Sequence, residues 1–167
     1  MNRKVLSVLL ILTLAFSVMM TGCGSNNEKT DVLADGVLSV AMECGYAPYN
    51  WTQKDDSNGA VPIKDSPDYA YGYDVMMAKY ISNKLGVELE IVKLDWDSLV
   101  PAVQSGTVDC VIAGQSITSK RLQSVDFSEP YYYASIVGLT KAGSPYANAK
   151  GVADLTGAAC TSQINTV

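Results

Sequence analysis

Asp74-Val75-Met76-Met77-Ala78-Lys79-Tyr80-Ile81-Ser82-Asn83-Lys84-Leu85-Gly86-Val87-Glu88-Leu89-Glu90-Ile91-Val92-Lys93-Leu94 changes its hydrophobic period in the middle, and that change decides the fold class. Val75, Ala78, Ile81 and Leu85 recur at helical spacing, with Met77 four residues before Ile81, so the spacing predicts an amphipathic helix. Asp74 is the expected N-cap and Gly86 the C′ residue that closes it. From Val87 the pattern alternates, with Val87, Leu89 and Ile91 apolar and Glu88 and Glu90 polar, which is the period of a strand. Upstream, Gly36 to Glu43 reads as a short buried strand breaking at Gly45. Downstream, Asp97 or Ser98 is placed to cap a helix through Leu99, Val100, Ala102 and Val103, with Pro101 tolerable in the first turn and Gly106 ending it. Val108 to Ala113 is a further strand, interrupted by Asp109. Strand, helix, strand, helix, strand implies an α/β protein with a parallel sheet.

Around this frame, Thr52 to Tyr71 holds Lys54, Asp55, Asp56, Asn58, Gly59, Pro62 and Pro67 and is expected to be an exposed excursion with a small hairpin near Ala60 to Lys64. A short helical stretch is expected from Ser119. Ile136 to Thr140 is a further strand candidate, Val152 to Leu155 a helical turn and Ala158 to Ser162 a last short strand.

The N-terminus is of another kind. Asn2, Arg3 and Lys4 make a basic start, and Val5 to Met20 follow without a charge, which is the layout of a secretory signal. At 16 residues this run is short for a membrane span. It ends in Met20-Thr21-Gly22-Cys23, which resembles the lipobox of bacterial lipoproteins. That resemblance implies a signal peptide over 1–22, a lipidated Cys23 as mature N-terminus, and a polar tether over 23–35.

Composition removes several functions. Residues 1–22 carry Arg3 and Lys4 and no acid, so the remainder has 10 basic against 17 acidic side chains, a net charge of −7. Such a surface repels nucleic acid and offers no polybasic patch for anionic lipid, so membrane attachment rests on acyl chains. The chain contains no histidine, which excludes Ser-His and Cys-His nucleophile pairs and His-based zinc sites. Cys44, Cys110 and Cys160 have no CxxC spacing and indicate neither a disulfide framework nor a metal cluster; they are expected to be mostly buried small residues. No cofactor or metal is expected.

In an α/β protein, ligands bind beyond the carboxyl ends of the strands. The three strand ends here are Glu43 to Tyr49, Leu94 to Trp96, and Gly114 to Arg121, and their chemistry suits one small zwitterion. Arg121 can take a carboxylate through two parallel bonds, while Ser116 and Thr118 add donors. Glu43 can take an ammonium, and Tyr46 and Trp96 can enclose the remainder between aromatic faces. Taken alone, Lys120-Arg121 is an ordinary solvated pair and the two aromatics are core or surface residues.

Five blocks change that balance by their order: Glu43-Cys44-Gly45-Tyr46-Ala47-Pro48-Tyr49; Gly72-Tyr73-Asp74-Val75; Trp96-Asp97-Ser98-Leu99-Val100-Pro101-Ala102; Gly114-Gln115-Ser116-Ile117-Thr118-Ser119-Lys120-Arg121; and Val125-Asp126-Phe127-Ser128-Glu129-Pro130-Tyr131-Tyr132. Together they resemble the polar amino-acid-binding proteins of ABC importers, the extracellular solute-binding family 3. The resemblance implies a periplasmic-binding-protein-like fold of type II, with two α/β lobes that close on an amino acid about a hinge. The first lobe would occupy 36–135, and the hinge with the start of a second lobe 136–167. By position, Arg121 would grip the ligand α-carboxylate, helped by Gly114, Ser116 and Thr118. Tyr46 and Trp96 would enclose the side chain, and Glu43 stands where aspartate is more usual. Asp126, Phe127 and Tyr131 to Tyr133 are taken as structural, near the lobe connection. Family members are longer than this chain, so it is expected to be a fragment with its second lobe only begun. The resemblance further implies a monomeric, lipid-anchored protein on the extracytoplasmic face of the cell membrane, delivering a polar or basic amino acid to a permease, with no enzymatic activity. The competing readings are an enzyme on the same lobes, as in murein-cleaving or dehydratase relatives, and a sensor or receptor module.

Overall fold

A computed structural model describes residues 33–166. The leader over 1–22, Cys23 and the tether up to residue 32 lie outside the described residues.

The predicted alternation is present at its centre. Strand β1 (Val37–Met42), helix α1 (Tyr73–Leu85), strand β6 (Glu88–Lys93), helix α2 (Leu99–Gln104) and strand β7 (Cys110–Val111) follow in that order. The three strands form a parallel sheet in the order β6-β1-β7, with Val40 opposite Ile91 on one side and Cys110 on the other. β1 is the middle strand, which is why Val40, Ala41 and Met42 are all fully buried and why its end reads as a continuous apolar run. Met42, Ile91, Leu99, Val40 and Val75 are the largest apolar side chains removed from solvent. Each contributes about 1.5–3 kcal/mol of apolar burial.

β7 is shorter than expected because Asp109 substitutes for part of the ladder. Its Oδ2 accepts the Ser39 N–H and the Ser39 hydroxyl, both at 2.7 Å.

Three expectations for the helices are corrected. Asp74 does not cap α1: the N-cap is Gly72, and the first free N–H groups, of Tyr73 and Asp74, are taken by the Pro48 and Tyr49 carbonyls at 3.1 and 2.8 Å. The preceding loop already satisfies the helix start, so the Asp74 carboxylate is free for other use. The buried stripe also runs along Val75, Ala78 and Ser82, with Leu85 52% exposed. The small Ala78 and Ser82 let the helix approach the sheet closely, and Leu85 lies past that contact. Neither Asp97 nor Ser98 caps α2 by its side chain; a 3-10 turn over Trp96–Ser98 leads into it instead. Gly86 does end α1, at φ 71°.

The excursion from Thr52 to Tyr71 is folded back rather than free. β2 (Gly45–Tyr46), β3 (Asn50–Gln53), β4 (Val61–Pro62) and β5 (Tyr69–Tyr71) make a four-stranded antiparallel sheet in the order β2-β3-β5-β4. Ile63 pins it, being 3% exposed and bridged to Ile91 of β6. The helical stretch expected from Ser119 is a 3-10 turn over Arg121–Gln123, and Val152–Leu155 is another. Ile136 to Thr140 and Ala158 to Ser162 form no strand. Neither finds a ladder partner among the described residues, and Ile136, Val137 and Leu139 remain exposed.

Candidate ligand-binding site

The chain leaving β1, the turn after β6 and the loop after β7 converge on one cavity of about 680 Å³. Glu43, Tyr46, Trp96, Gly114, Ser116 and Arg121, all singled out in the sequence, line it. Thr118 is not among the lining residues; its Oγ1 accepts the Arg121 N–H at 3.2 Å and so begins the 3-10 turn that carries the guanidinium.

Arg121 is fixed from three sides. Its Nη1 donates to the Ser116 carbonyl at 2.8 Å, its Nη2 donates to the Asn165 carbonyl at 2.9 Å, and its guanidinium lies 5.5 Å from the Trp96 ring centroid. The Trp96 indole N–H donates to the same Asn165 oxygen at 3.1 Å. Two donors, one of them charged, therefore converge on a single acceptor point, an arrangement that also suits a carboxylate oxygen. The segment supplying that acceptor makes two further bonds across the cavity mouth. Asn165 Nδ2 donates to Asp97 at 2.8 Å, and Gln163 Nε2 donates to Glu43 at 3.0 Å.

Aromatic faces form the opposite wall. Tyr46 stacks on Tyr49 at 4.9 Å and Tyr49 meets Tyr132 edge-on at 5.3 Å. Gly114 lies beneath them at φ 60°, where a Cβ would stand 3.3 Å from Tyr46 Cε1, so both backbone and space favour glycine. The Gly114 N–H is committed to the Tyr131 hydroxyl at 3.1 Å. In this arrangement it is not available as a carboxylate donor.

Behind this wall lies a polar network centred on Asp74, which is fully buried. Tyr131 donates its hydroxyl to Asp74 Oδ1 at 2.8 Å, and Asn50 Nδ2 donates to Oδ2 at 2.7 Å. Asn50 Oδ1 in turn accepts the Cys44 N–H at 2.8 Å. Burial raises the Asp74 pKa, with the two hydrogen bonds opposing it. Burial, then the Asp74 charge, pushes the Tyr131 hydroxyl well above its ordinary value, so it keeps its proton and donates.

The cysteines divide by environment. Cys44 is buried, Cys110 half-buried and Cys160 exposed, and all three are free thiols; Cys160 thus departs from the expectation of burial. Among the described residues no group of three or more His, Cys, Asp or Glu side chains is placed to hold a metal ion.

Tyr49, Tyr132, Gln163 and Asn165 reach the site without having been singled out as ligand residues. Tyr49 lies three residues from Tyr46, which was singled out, and Tyr132 belongs to the Tyr131 to Tyr133 run taken as structural, though it lines the cavity; sequence does not say which ring of such a run turns inward. Asn165 meets Arg121 and Trp96 through its backbone carbonyl, which carries no side-chain signal, while its side-chain amide donates to Asp97.

Comparison with known proteins bears on the family and the fold. The family model for bacterial extracellular solute-binding proteins, family 3, matches residues 38–158. The arginine-binding extracellular protein ArtP of Bacillus subtilis (strain 168) is 29% identical over 137 residues, covering 82% of this chain and 48% of the relative. A probable histidine-binding protein of Campylobacter jejuni is 33% identical over 107 residues, covering 64% of this chain and 37% of its own. This chain therefore spans about half or less of the length of these curated relatives. Among solved structures, the arginine-bound form of domain 1 from TmArgBP is 34% identical with a TM-score of 0.50, covering 60% of this chain and 71% of that one. On the match over residues 38–158, the chain belongs to the bacterial extracellular solute-binding proteins of family 3.

Proposed function

We propose that this chain is the ligand-capturing part of an amino-acid importer's extracytoplasmic binding protein, and that its cavity takes a polar or basic amino acid. The observation that carries this reading is the convergence of Arg121 and Trp96 on one acceptor point, now held by the Asn165 carbonyl. A ligand α-carboxylate replaces that neutral oxygen with a charged one, and charge-assisted bonds are roughly twice as strong as neutral ones. The acidic Glu43 and the Tyr46, Tyr49 and Trp96 faces along the same cavity favour a cationic side chain through cation–π attraction. Relatives named as arginine- and histidine-binding support that class. Capture proceeds by closure of two lobes about a hinge near residue 135, with the ligand shifting the equilibrium by its differential affinity for the closed state. The loaded, monomeric protein then presents the amino acid to a membrane permease. It is held at the extracytoplasmic face by acyl chains on Cys23.

Calorimetric titration with L-arginine, L-lysine, L-histidine and L-glutamine tests the reading. Saturable heat is expected for at least one, and its loss in Arg121→Ala with the far-ultraviolet dichroism unchanged. Near-normal heats in that variant would overturn the carboxylate assignment. For the anchor, Cys23→Ala is expected to move the protein from the membrane pellet to the supernatant, and continued sedimentation with membranes would reject it.

A further inference from the structure

Asp74 has no place in a list of ligand contacts: it is fully buried and does not line the cavity. Its two carboxylate oxygens nevertheless point along two separate paths that end at the two charged groups of the site. From Oδ1 the path runs through the Tyr131 hydroxyl at 2.8 Å to the Gly114 N–H at 3.1 Å. Two residues further on, the Ser116 carbonyl holds Arg121 Nη1 at 2.8 Å. From Oδ2 the path runs through the Asn50 amide at 2.7 Å to the Cys44 N–H at 2.8 Å, next in chain to Glu43. Both anchored backbones need holding. Gly114 stands at φ 60° and Cys44, a non-glycine, at φ 54°, a left-handed conformation that surrounding structure must impose.

We infer that Asp74 is a positioning residue for ligand capture, fixing the Gly114–Arg121 loop through Tyr131 and the Glu43–Cys44 turn through Asn50. The inference rests on the amino-acid-binding reading above and adds a residue remote from the ligand to it. It also explains why a carboxylate stands here. Tyr131 and Asn50 both present donors, and only a group with two acceptors serves both. An amide at this position offers one acceptor and one donor, so it holds one arm and opposes the other. Tyr131 is the more informative partner because it links the arm to the segment that leaves the first lobe.

The test combines residue-resolved amide hydrogen exchange with L-arginine titration on the full chain. In Tyr131→Phe, protection of the Gly114 amide is expected to fall at least about tenfold while Cys44 is unaffected; Asn50→Ala is expected to do the converse. The Val40 and Ile91 amides, in the parallel sheet, report global stability and are expected to hold. L-arginine affinity is expected to drop about tenfold in Tyr131→Phe and in Asp74→Asn. Unchanged Gly114 protection in Tyr131→Phe overturns the inference, as does lost protection with unaltered affinity. So does loss spread evenly over Val40 and Ile91, which marks a merely structural role. If the unaltered chain binds no amino acid in the panel, the binding reading fails, and the Gly114 and Cys44 exchange rates still decide whether Asp74 positions the two arms.

Discussion

Gly72→Ala is the substitution for which the structure sets the clearest magnitude. Gly72 joins β5 to α1 at φ 130°, and an added Cβ would stand 2.3 Å from the Tyr49 carbonyl oxygen, 2.7 Å from its carbon and 3.0 Å from the Pro48 oxygen. These are backbone atoms, so no rotamer change relieves the overlap. The same two oxygens accept the first N–H groups of α1, from Asp74 at 2.8 Å and Tyr73 at 3.1 Å. Making room therefore breaks or stretches both bonds, at about 0.5–1.5 kcal/mol each. The backbone conformation adds about 1–3 kcal/mol for any residue with a Cβ. The expected loss is roughly 2–6 kcal/mol, a large part of the 5–15 kcal/mol that usually holds a domain together. Gly86→Ala is the internal control. Its φ of 71° and ψ of 29° are the milder left-handed angles of a helix end, and nothing lies within 4 Å of the added Cβ. The conformational penalty of about 1–2 kcal/mol is then partly offset by reduced unfolded-chain entropy, leaving about 1 kcal/mol. Urea unfolding of the three proteins, followed by tyrosine and tryptophan fluorescence, compares the midpoints. A Gly72→Ala midpoint equal to or above that of Gly86→Ala would refute the reasoning, since the overlap with backbone atoms and the more restricted backbone conformation both weigh on Gly72 alone.

Further expectations follow from single side chains. Burial raises the Asp74 pKa above 3.8, so the native state retains a proton that the unfolded chain has released. The stability contributed by Asp74 accordingly declines as pH rises from 3.8 through the raised native value, and Asp74→Asn is expected to flatten that segment of the urea-midpoint profile; an unaltered slope refutes the assignment. Burial pushes the Cys44 and Cys110 thiols up to about 11, leaving little thiolate near neutrality, whereas Cys160 is exposed. Iodoacetamide at pH 8 is expected to label Cys160 well before the other two, read by peptide mass spectrometry, and equal labelling would contradict the burial. Leu99 is fully buried, so Leu99→Ala is expected to cost about 2–5 kcal/mol by urea unfolding, with a loss below about 1 kcal/mol showing that the site collapses without a cavity.

The parallel sheet was legible because its signal is periodic. Val75 and Ala78 at helical spacing, then Leu89 and Ile91 in alternation, specify helix and strand locally, and the order of elements leaves few ways to pair them. The cavity-lining set was legible for a related reason. Glu43 and Trp96 stand within three residues of strand ends, and in a parallel sheet those ends face one side; Arg121, ten residues past β7, was legible only through the order of the five family-like blocks. The antiparallel sheet was not legible. Its strands β2, β4 and β5 are two or three residues long, too short for any period to register, and β4 is held by the burial of Ile63 against β6 rather than by its own pattern.

Asp74 marks the boundary most sharply. In sequence it sits where an N-cap belongs, because a short acidic residue at the head of an amphipathic run is the local solution for free N–H groups. Tertiary structure supplied those groups with the Pro48 and Tyr49 carbonyls instead, and it brought Asn50 and Tyr131, 24 and 57 residues away, onto the released carboxylate. The sequence by itself determined the strand-helix-strand-helix-strand core and the side chains that stand after its strands, since both follow from spacing over a few residues. Only the tertiary structure decided which hydrogen-bond donors each buried acceptor meets, since that choice depends on contacts between distant segments that no local pattern encodes.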